Sequence, residues 1–166
     1  MAVRNIVKIP ADVLGRKATK VKTFDKALEK LVEDMVDTLY STTGVGLAAP
    51  QIGVGEKVII VEYGEEDEEP VLYAVVNPEI VEASEEMVKG IEGCLSVPDL
   101  IGEVDRHERI TVKGQDVRGK PLKIKAEGWL ARIFQHEIDH LDGILYTQRA
   151  GRVWRPGENE AYTDNV

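Results

Sequence analysis

Two of the three histidines of this chain, His136 and His140, lie four residues apart with Glu137 beside the first. On a helix, side chains at positions i and i+4 lie one above the other, so both imidazoles can reach one ion. Glu137 lies about 100° further round the helix than His136, close enough to contact a water molecule on that ion. The spacing predicts a metal ion held by both histidines, with Glu137 as the general acid/base of a hydrolase.

A catalytic centre of this type needs a third protein ligand and an open position for water. The candidates are Cys94, His107, Glu158 and Glu160. A lone cysteine is most often a small buried hydrophobe, but a thiolate is also a good ligand for zinc and ferrous iron. His107 lies in a charged stretch that favours exposure, and the two glutamates lie in a polar segment without an order signal. The residue types therefore favour Cys94.

The histidine pair falls on a segment with helical periodicity. Its apolar residues predict a buried helix over about residues 129–141, which Asp142 and Gly143 would end. A second amphipathic pattern predicts a helix over residues 24–40, with Thr23 as its N-cap. The two histidines would thus be carried by the more buried of the two helices.

Strand-like runs occupy residues 57–63 and 71–76 around an acidic loop, and residues 110–113 and 122–126 around a turn. Each pair predicts an antiparallel hairpin. Pro98 is expected to end a short strand that contains Cys94. The predicted fold class is α+β: an N-terminal helix, several antiparallel strands and then a central helix that carries the histidines. Residues 1–150 would form a single domain, and residues 151–166 a polar C-terminal tail.

Composition narrows the setting of the protein. A net charge of −9 argues against direct nucleic-acid binding, because a phosphate binder needs a basic surface. The single cysteine excludes an intrachain disulfide and suits a reducing compartment. There is no secretory signal pattern, and no apolar run approaches the roughly 20 residues of a membrane-spanning helix. A cytoplasmic protein without membrane attachment is expected.

Three blocks together resemble the peptide deformylase family. They are Gly-Val-Gly-Leu-Ala-Ala-Pro-Gln at residues 44–51, Glu-Gly-Cys-Leu-Ser at 92–96 and Gln-His-Glu-Ile-Asp-His at 135–140. They occur complete and in order, and the likeness extends to about Arg149. Two features depart from many members: Asp105 replaces a proline, and the chain lacks the pattern of a long basic C-terminal helix. The ribosome stays a candidate partner, but contact through such a helix is not expected.

The resemblance implies an α+β fold with antiparallel β-sheets packed around the central motif-bearing helix, and it implies an activity and a set of site residues. Family members remove the formyl group from the N-terminal formyl-methionine of newly synthesised polypeptides and release formate. One divalent ion per chain is implied, natively Fe²⁺, with Zn²⁺, Ni²⁺ or Co²⁺ as substitutes. A water bound to that ion would attack the formyl carbon while Glu137 handles the protons. The side chain of Gln51 and the backbone amide of Leu95 would stabilise the oxyanion, and the metal ligands would be Cys94, His136 and His140.

Substrate contacts follow from the same blocks. The glycines of residues 44–46 would let the peptide substrate pair as an added strand. A tight wall near Gly46 and Leu95 would admit a formyl group and reject an acetyl group. Glu92 and Arg106 would form a supporting ion pair beside the Cys94 loop. The substrate-binding set is completed by Val45, Gly93, Ile133 and Trp129, although plain core packing is an alternative for the last two.

Two rival functions remain open from the residues alone. One is a zinc peptidase that cleaves internal peptide bonds, which usually finds its third ligand downstream of the histidine pair. The other is a binding protein of the translation machinery with a closed structural metal site. Such closed sites usually have four protein ligands, and only three are credible here.

Overall fold

A computed structural model describes residues 2–157, which form three α-helices, two short 3₁₀ helices (Asp12–Gly15 and Ala49–Ile52) and eight strands. The helices are α1 (Lys26–Tyr40), α2 (Gly128–Leu141) and the short α3 (Tyr146–Arg149). The strands are β1 (Gly46–Ala48), β2 (Val58–Tyr63), β3 (Val71–Ala83), β4 (Met87–Cys94), β5 (Val97–His107), β6 (Arg109–Gln115), β7 (Pro121–Glu127) and β8 (Arg152–Trp154). Within residues 2–157, no helix is long and apolar enough to cross a bilayer.

The strands form two antiparallel sheets. One has five strands in the order β1-β2-β3-β6-β7, and the other has three in the order β4-β5-β8. Both predicted hairpins are confirmed, as β2 pairs with β3 and β6 pairs with β7. The predicted α+β class is therefore confirmed.

The central helix α2 lies between the two sheets, which explains why every residue from Ala131 to Leu141 is buried. Its apolar side packs on the five-stranded sheet, where Phe134 meets Tyr73 edge to face with ring centroids 5.4 Å apart. Its polar side chains instead bond to β4 and β5 of the other sheet. A helix enclosed on both sides in this way needs apolar residues on one face and fully paired polar residues on the other.

The start of α1 differs from the prediction. The helix begins at Lys26, and its N-cap is Asp25 rather than Thr23. The Asp25 carboxylate accepts a hydrogen bond of 3.1 Å from the backbone N–H of Leu28, which satisfies one of the free donors in the first turn. Phe24 stays outside the helix and packs against the apolar cluster on that side of the sheet.

One strand prediction is wrong, and one strand was not predicted. Pro98 does not end a strand, because β5 begins at Val97 and includes it. A proline is tolerated at this position since it lies at the beginning of the strand, next to the turn from β4. No pattern in the sequence indicates β8. This strand lies beyond residue 150, pairs Trp154 with Ile101 and is the third strand of the smaller sheet.

Candidate metal centre

The thiol and the two imidazoles converge where β4 meets α2. The ligand atoms of Cys94, His136 and His140 all lie within 4.8 Å of one another, and all three residues are buried. Cys94 Sγ lies 3.4 Å from His140 Nε2. The two rings are T-shaped to each other, with centroids 5.1 Å apart. The structure therefore brings together the three residues predicted to hold the ion.

Each ligand is positioned by a regular element. Both histidines lie in the second half of α2, where the spacing of four residues stacks them. Cys94 is the last residue of β4, and the pairing of β4 with β5 shifts its register between Glu92 and Cys94. A shift of this kind re-aims the side chains next to it, and such irregularities are frequent beside active sites.

Several polar atoms at this centre lack partners in residues 2–157. Nε2 of His136 and both carboxylate oxygens of Glu137 are buried without a hydrogen bond. A buried polar atom in that state is costly, on the order of 1–3 kcal/mol. A divalent cation with an attached water would satisfy these atoms, and the thiolate and imidazole donors suit Fe²⁺, Zn²⁺ or Ni²⁺. The residues present therefore fit a metal ion with one open position.

The orientation of His136 is set by a carboxylate. Nδ1 of His136 lies 2.9 Å from Glu92 Oε1, and since an ionised carboxylate only accepts, Nδ1 donates. Nε2 is left for the ion. Burial opposes a charge on this ring, but Cys94 and Glu92 raise the pKa of His136 to about 10, so metal binding must displace a proton. Burial and the neighbouring His136 lower the pKa of His140 well below its usual value.

Glu137 lies against β1. A Cβ on Gly46 would be only 2.6 Å from Glu137 Oε2, so the glycine leaves the room that this carboxylate occupies. Burial raises the pKa of Glu137 to about 7, with the charge of Glu92 adding to the effect. A carboxyl group that ionises near neutral pH is well suited to exchange protons with a substrate.

Gln51 directs its amide towards the sulfur of Cys94. It lies in a 3₁₀ turn, Ala49–Ile52, that follows β1 directly. Its Oε1 accepts a 3.0 Å hydrogen bond from the Ala48 N–H, which turns Nε2 towards Cys94 Sγ at 3.5 Å and Ser96 Oγ at 3.2 Å. Leu95 occupies the turn between β4 and β5, next to Cys94. The two predicted oxyanion donors therefore both lie beside the thiol.

A buried ionic network supports the centre. Arg106 donates two hydrogen bonds to the Glu92 carboxylate, from Nε to Oε2 at 2.9 Å and from Nη2 to Oε1 at 2.8 Å. The ion pair implied by the resemblance is therefore present. Burial opposes ionisation, but the hydrogen bonds from Arg106 and His136 hold the pKa of Glu92 far below its usual value. Arg106 also donates to Asp139 at 2.6 Å, and Asp139 accepts from Arg149 at the same distance. Arg132 donates to Glu92 at 2.7 Å, a contact that the sequence did not predict.

The residues predicted to bind substrate come from β1 and the segment before it, from β4 and from α2. Val45 and Trp129 line one cavity of about 630 Å³, which continues along the segment before β1. Ile133 is fully buried in the apolar cluster against which Val45 and Trp129 pack. Gly93 is buried in β4 directly before Cys94. A Cβ on Gly44 would lie 3.1 Å from the Leu95 side chain, so the segment before β1 lies close to the cysteine turn.

Of the other candidate ligands, His107 is described by the structure and does not join the cluster. His107 ends β5 and is half-buried rather than exposed, with Nδ1 2.7 Å from the carbonyl oxygen of Ser84. Its backbone N–H donates to Gln135 Oε1 at 2.9 Å, and Gln135 donates back to the His107 carbonyl at 2.9 Å. His107 therefore ties β5 to α2, while Glu158 and Glu160 lie outside the described residues.

Tyr146 is a further residue that sequence reasoning missed. Its ring stacks on His136 with centroids 6.0 Å apart and planes at 21°. Only 1% of it is exposed, and its hydroxyl has no hydrogen-bond partner among the described residues. From the sequence, a tyrosine just after the end of a helix is expected to be an ordinary core residue. Its stacking on a candidate metal ligand is seen only in the structure.

Comparison with known proteins gives a consistent result. Residues 3–155 match the polypeptide deformylase family. A peptide deformylase of Symbiobacterium thermophilum is 53% identical over 164 residues, covering 96% of this chain and 74% of the relative. A peptide deformylase of Natranaerobius thermophilus is 48% identical, covering 96% of this chain and 99% of the relative.

Solved structures show the same likeness. A peptide deformylase of Ehrlichia chaffeensis, crystallised with actinonin, superimposes with a TM-score of 0.87 at 40% identity, covering 92% of this chain and 91% of that one. A peptide deformylase of Thermotoga maritima gives a TM-score of 0.84 at 40% identity, covering 92% of this chain and 100% of that one. The likeness therefore spans the two sheets and the helix between them.

Proposed function

Because this chain belongs to the peptide deformylase family, an enzyme family, we propose that it hydrolyses the N-terminal formyl amide of newly synthesised formyl-methionyl polypeptides and releases formate. The observation that carries the proposal is the convergence of Cys94, His136 and His140 beside a buried carboxylate without a partner in the described chain. A divalent ion on these ligands would polarise the formyl carbonyl and lower the pKa of a bound water.

Glu137 performs the proton transfers in this proposal. As a carboxylate it takes a proton from the attacking water, and as the acid it returns that proton to the departing amine nitrogen. Its raised pKa suits both directions, because the group gains and loses a proton near neutral pH. Gly46 keeps the carboxylate in place, since any side chain at this position would push it away.

The oxyanion would be stabilised by two donors of this chain. Gln51 presents its amide beside Cys94, and the hydrogen bond donated by the Ala48 N–H fixes the orientation of that amide. Nε2 would exchange its contact with Cys94 Sγ or Ser96 Oγ for one with the oxyanion. The backbone N–H of Leu95 is the second donor in the proposal. Loss of one such donor typically costs about 3 kcal/mol of transition-state stabilisation, or a hundredfold or more in rate.

The substrate would lie between β1 and the cysteine turn. The segment at residues 44–46 leads into the edge strand of the five-stranded sheet, which suits a peptide that adds as a further strand. The methionine side chain would enter the apolar region of Val45 and Trp129. The close approach of Gly44 to Leu95 leaves little room beside the scissile carbonyl, which favours formyl over acetyl.

Anaerobically purified protein loaded with Fe²⁺ or Ni²⁺ tests the proposal in a formate-release assay on a short formyl-methionyl peptide. We expect formate and a free amino terminus, no cleavage of internal peptide bonds, and no release from the acetyl-methionyl peptide. Glu137→Gln is the matched control, expected to keep its metal and lose nearly all turnover. Backbone cleavage, comparable acetyl removal, or full turnover in Glu137→Gln would refute the assignment.

A further inference from the structure

Arg132 lies on α2 one turn before His136 and is only 4% exposed. Its Nη1 donates to Glu92 Oε2 at 2.7 Å and to the carbonyl oxygen of Val104 at 3.0 Å. Its Nη2 donates to the carbonyl oxygen of Val88 at 2.6 Å. Val88 and Val104 belong to β4 and β5, so the backbone of the three-stranded sheet fixes where the guanidinium lies.

The space for this guanidinium depends on Gly90 in β4. A Cβ at that position would lie 2.6 Å from Arg132 Cζ and 2.7 Å from its Nε, closer than side chains approach in folded proteins. The glycine thus permits the guanidinium to reach Glu92 and both carbonyl oxygens at once. Substitution of this glycine offers a way to displace the guanidinium without changing any charge.

The Glu92 carboxylate is tied to two successive turns of the same helix. Its Oε2 accepts from Arg132, and its Oε1 accepts from His136 Nδ1. Arg106 also binds this carboxylate, but from β5, and shares its guanidinium with Asp139. Rotation of the carboxylate would therefore break its hydrogen bonds to Arg132 and His136 together. This double attachment fixes the carboxylate and, through it, the orientation of the His136 ring.

We propose that Arg132 is a positioning residue of the metal centre: it fixes the Glu92 carboxylate, and through it the orientation in which His136 offers Nε2 to the ion. The inference rests on the ligand set of the proposed function. Partners of this kind, one step removed from the ion, typically change metal affinity 10- to 100-fold when they are removed.

The test measures the Kd for Zn²⁺ by competition with a chromophoric chelator on the metal-loaded full chain. Arg132→Met keeps much of the side-chain volume and removes the donors, and Gly90→Ala displaces the guanidinium. Both are expected to raise the Kd for Zn²⁺ about 10- to 100-fold. Arg132→Lys supplies fewer donors than arginine, so its Kd for Zn²⁺ should lie between that of these two variants and that of the wild type. The matched control is Arg109→Met, an exposed arginine paired with Glu86 at 3.3 Å, which should leave the Kd unchanged.

Co²⁺-substituted protein gives a second readout, because its absorption bands report the ligand geometry. Shifted bands in Arg132→Met and Gly90→Ala support a change in the orientation of His136. Wild-type Zn²⁺ affinity in either folded variant overturns the inference, as does a lower melting temperature with an unchanged Kd. If Arg132→Met does not fold, Gly90→Ala decides. If the wild-type chain itself binds no Zn²⁺, Fe²⁺ or Ni²⁺, the proposed function fails and this inference with it.

Discussion

Replacement of Gly46 by alanine tests the role of Glu137 without touching any ligand. The added methyl group would lie 2.6 Å from Oε2 and 3.0 Å from both Cδ and Cγ of Glu137. Ordinary contact begins at 3.4 Å, so the carboxylate must retreat by roughly 0.8 Å, the difference between 2.6 and 3.4 Å. A misplacement of about 1 Å in a reacting group can lower a rate about a hundredfold.

The same substitution should affect stability only slightly, because the methyl group meets a side chain that can rotate rather than fixed backbone. We therefore expect kcat/KM for formate release to fall about a hundredfold, with one ion per chain retained and a melting temperature close to that of the wild type. Gly55→Ala is the matched control, since a Cβ there meets nothing within 4 Å. Wild-type kcat/KM in a metal-loaded Gly46→Ala protein would refute the placement of Glu137.

Two further predictions concern the ion and the pH. Cys94→Ala should purify with far less than one equivalent of metal, because only His136 and His140 remain of the three clustered ligands. Metal analysis after gel filtration measures the metal content. Full loading would contradict the ligand set. Turnover should fall as the pH decreases, because burial raises the pKa of Glu137 and its protonated form cannot accept a proton from water. The positive charge of a bound ion would lower this pKa, so the fall should begin below pH 7. Metal content is measured at each pH, and turnover that shows no acid limb at any pH at which the ion stays bound would exclude Glu137 as the base.

The sequence predicted best those features that depend on local spacing. The two histidines stack because they lie four residues apart on one helix, and this holds wherever the helix packs. The hairpins follow from period-two alternation around short turns, which pairs neighbouring segments of the chain. Cys94 could be selected because its residue type suits the ion, although the approach of β4 to α2 is not visible in the sequence.

Features that depend on distant contacts were missed. Arg132 and Asp139 read as ordinary charged residues of a helix, yet both are buried because β4 and β5 supply their partners. The short β8 has no apolar alternation of its own and forms only because β5 offers a free edge. The N-cap of α1 shows a smaller error of the same kind, since Thr23 and Asp25 are both acceptable caps and only the packing of Phe24 distinguishes them.

The candidate ligands come from separate parts of the fold, with Cys94 on the three-stranded sheet, both histidines on α2 and Gln51 next to the five-stranded sheet. An unfolded chain would hold these groups far apart and would bind an ion only weakly. Occupancy therefore adds to the free energy of unfolding, by about 2.7 kcal/mol when the free ion is present at a hundred times its Kd. In a cell short of the metal, newly made chains of this protein would unfold more readily and become targets for proteases, so the supply of the ion would set how much protein persists as well as how fast it works.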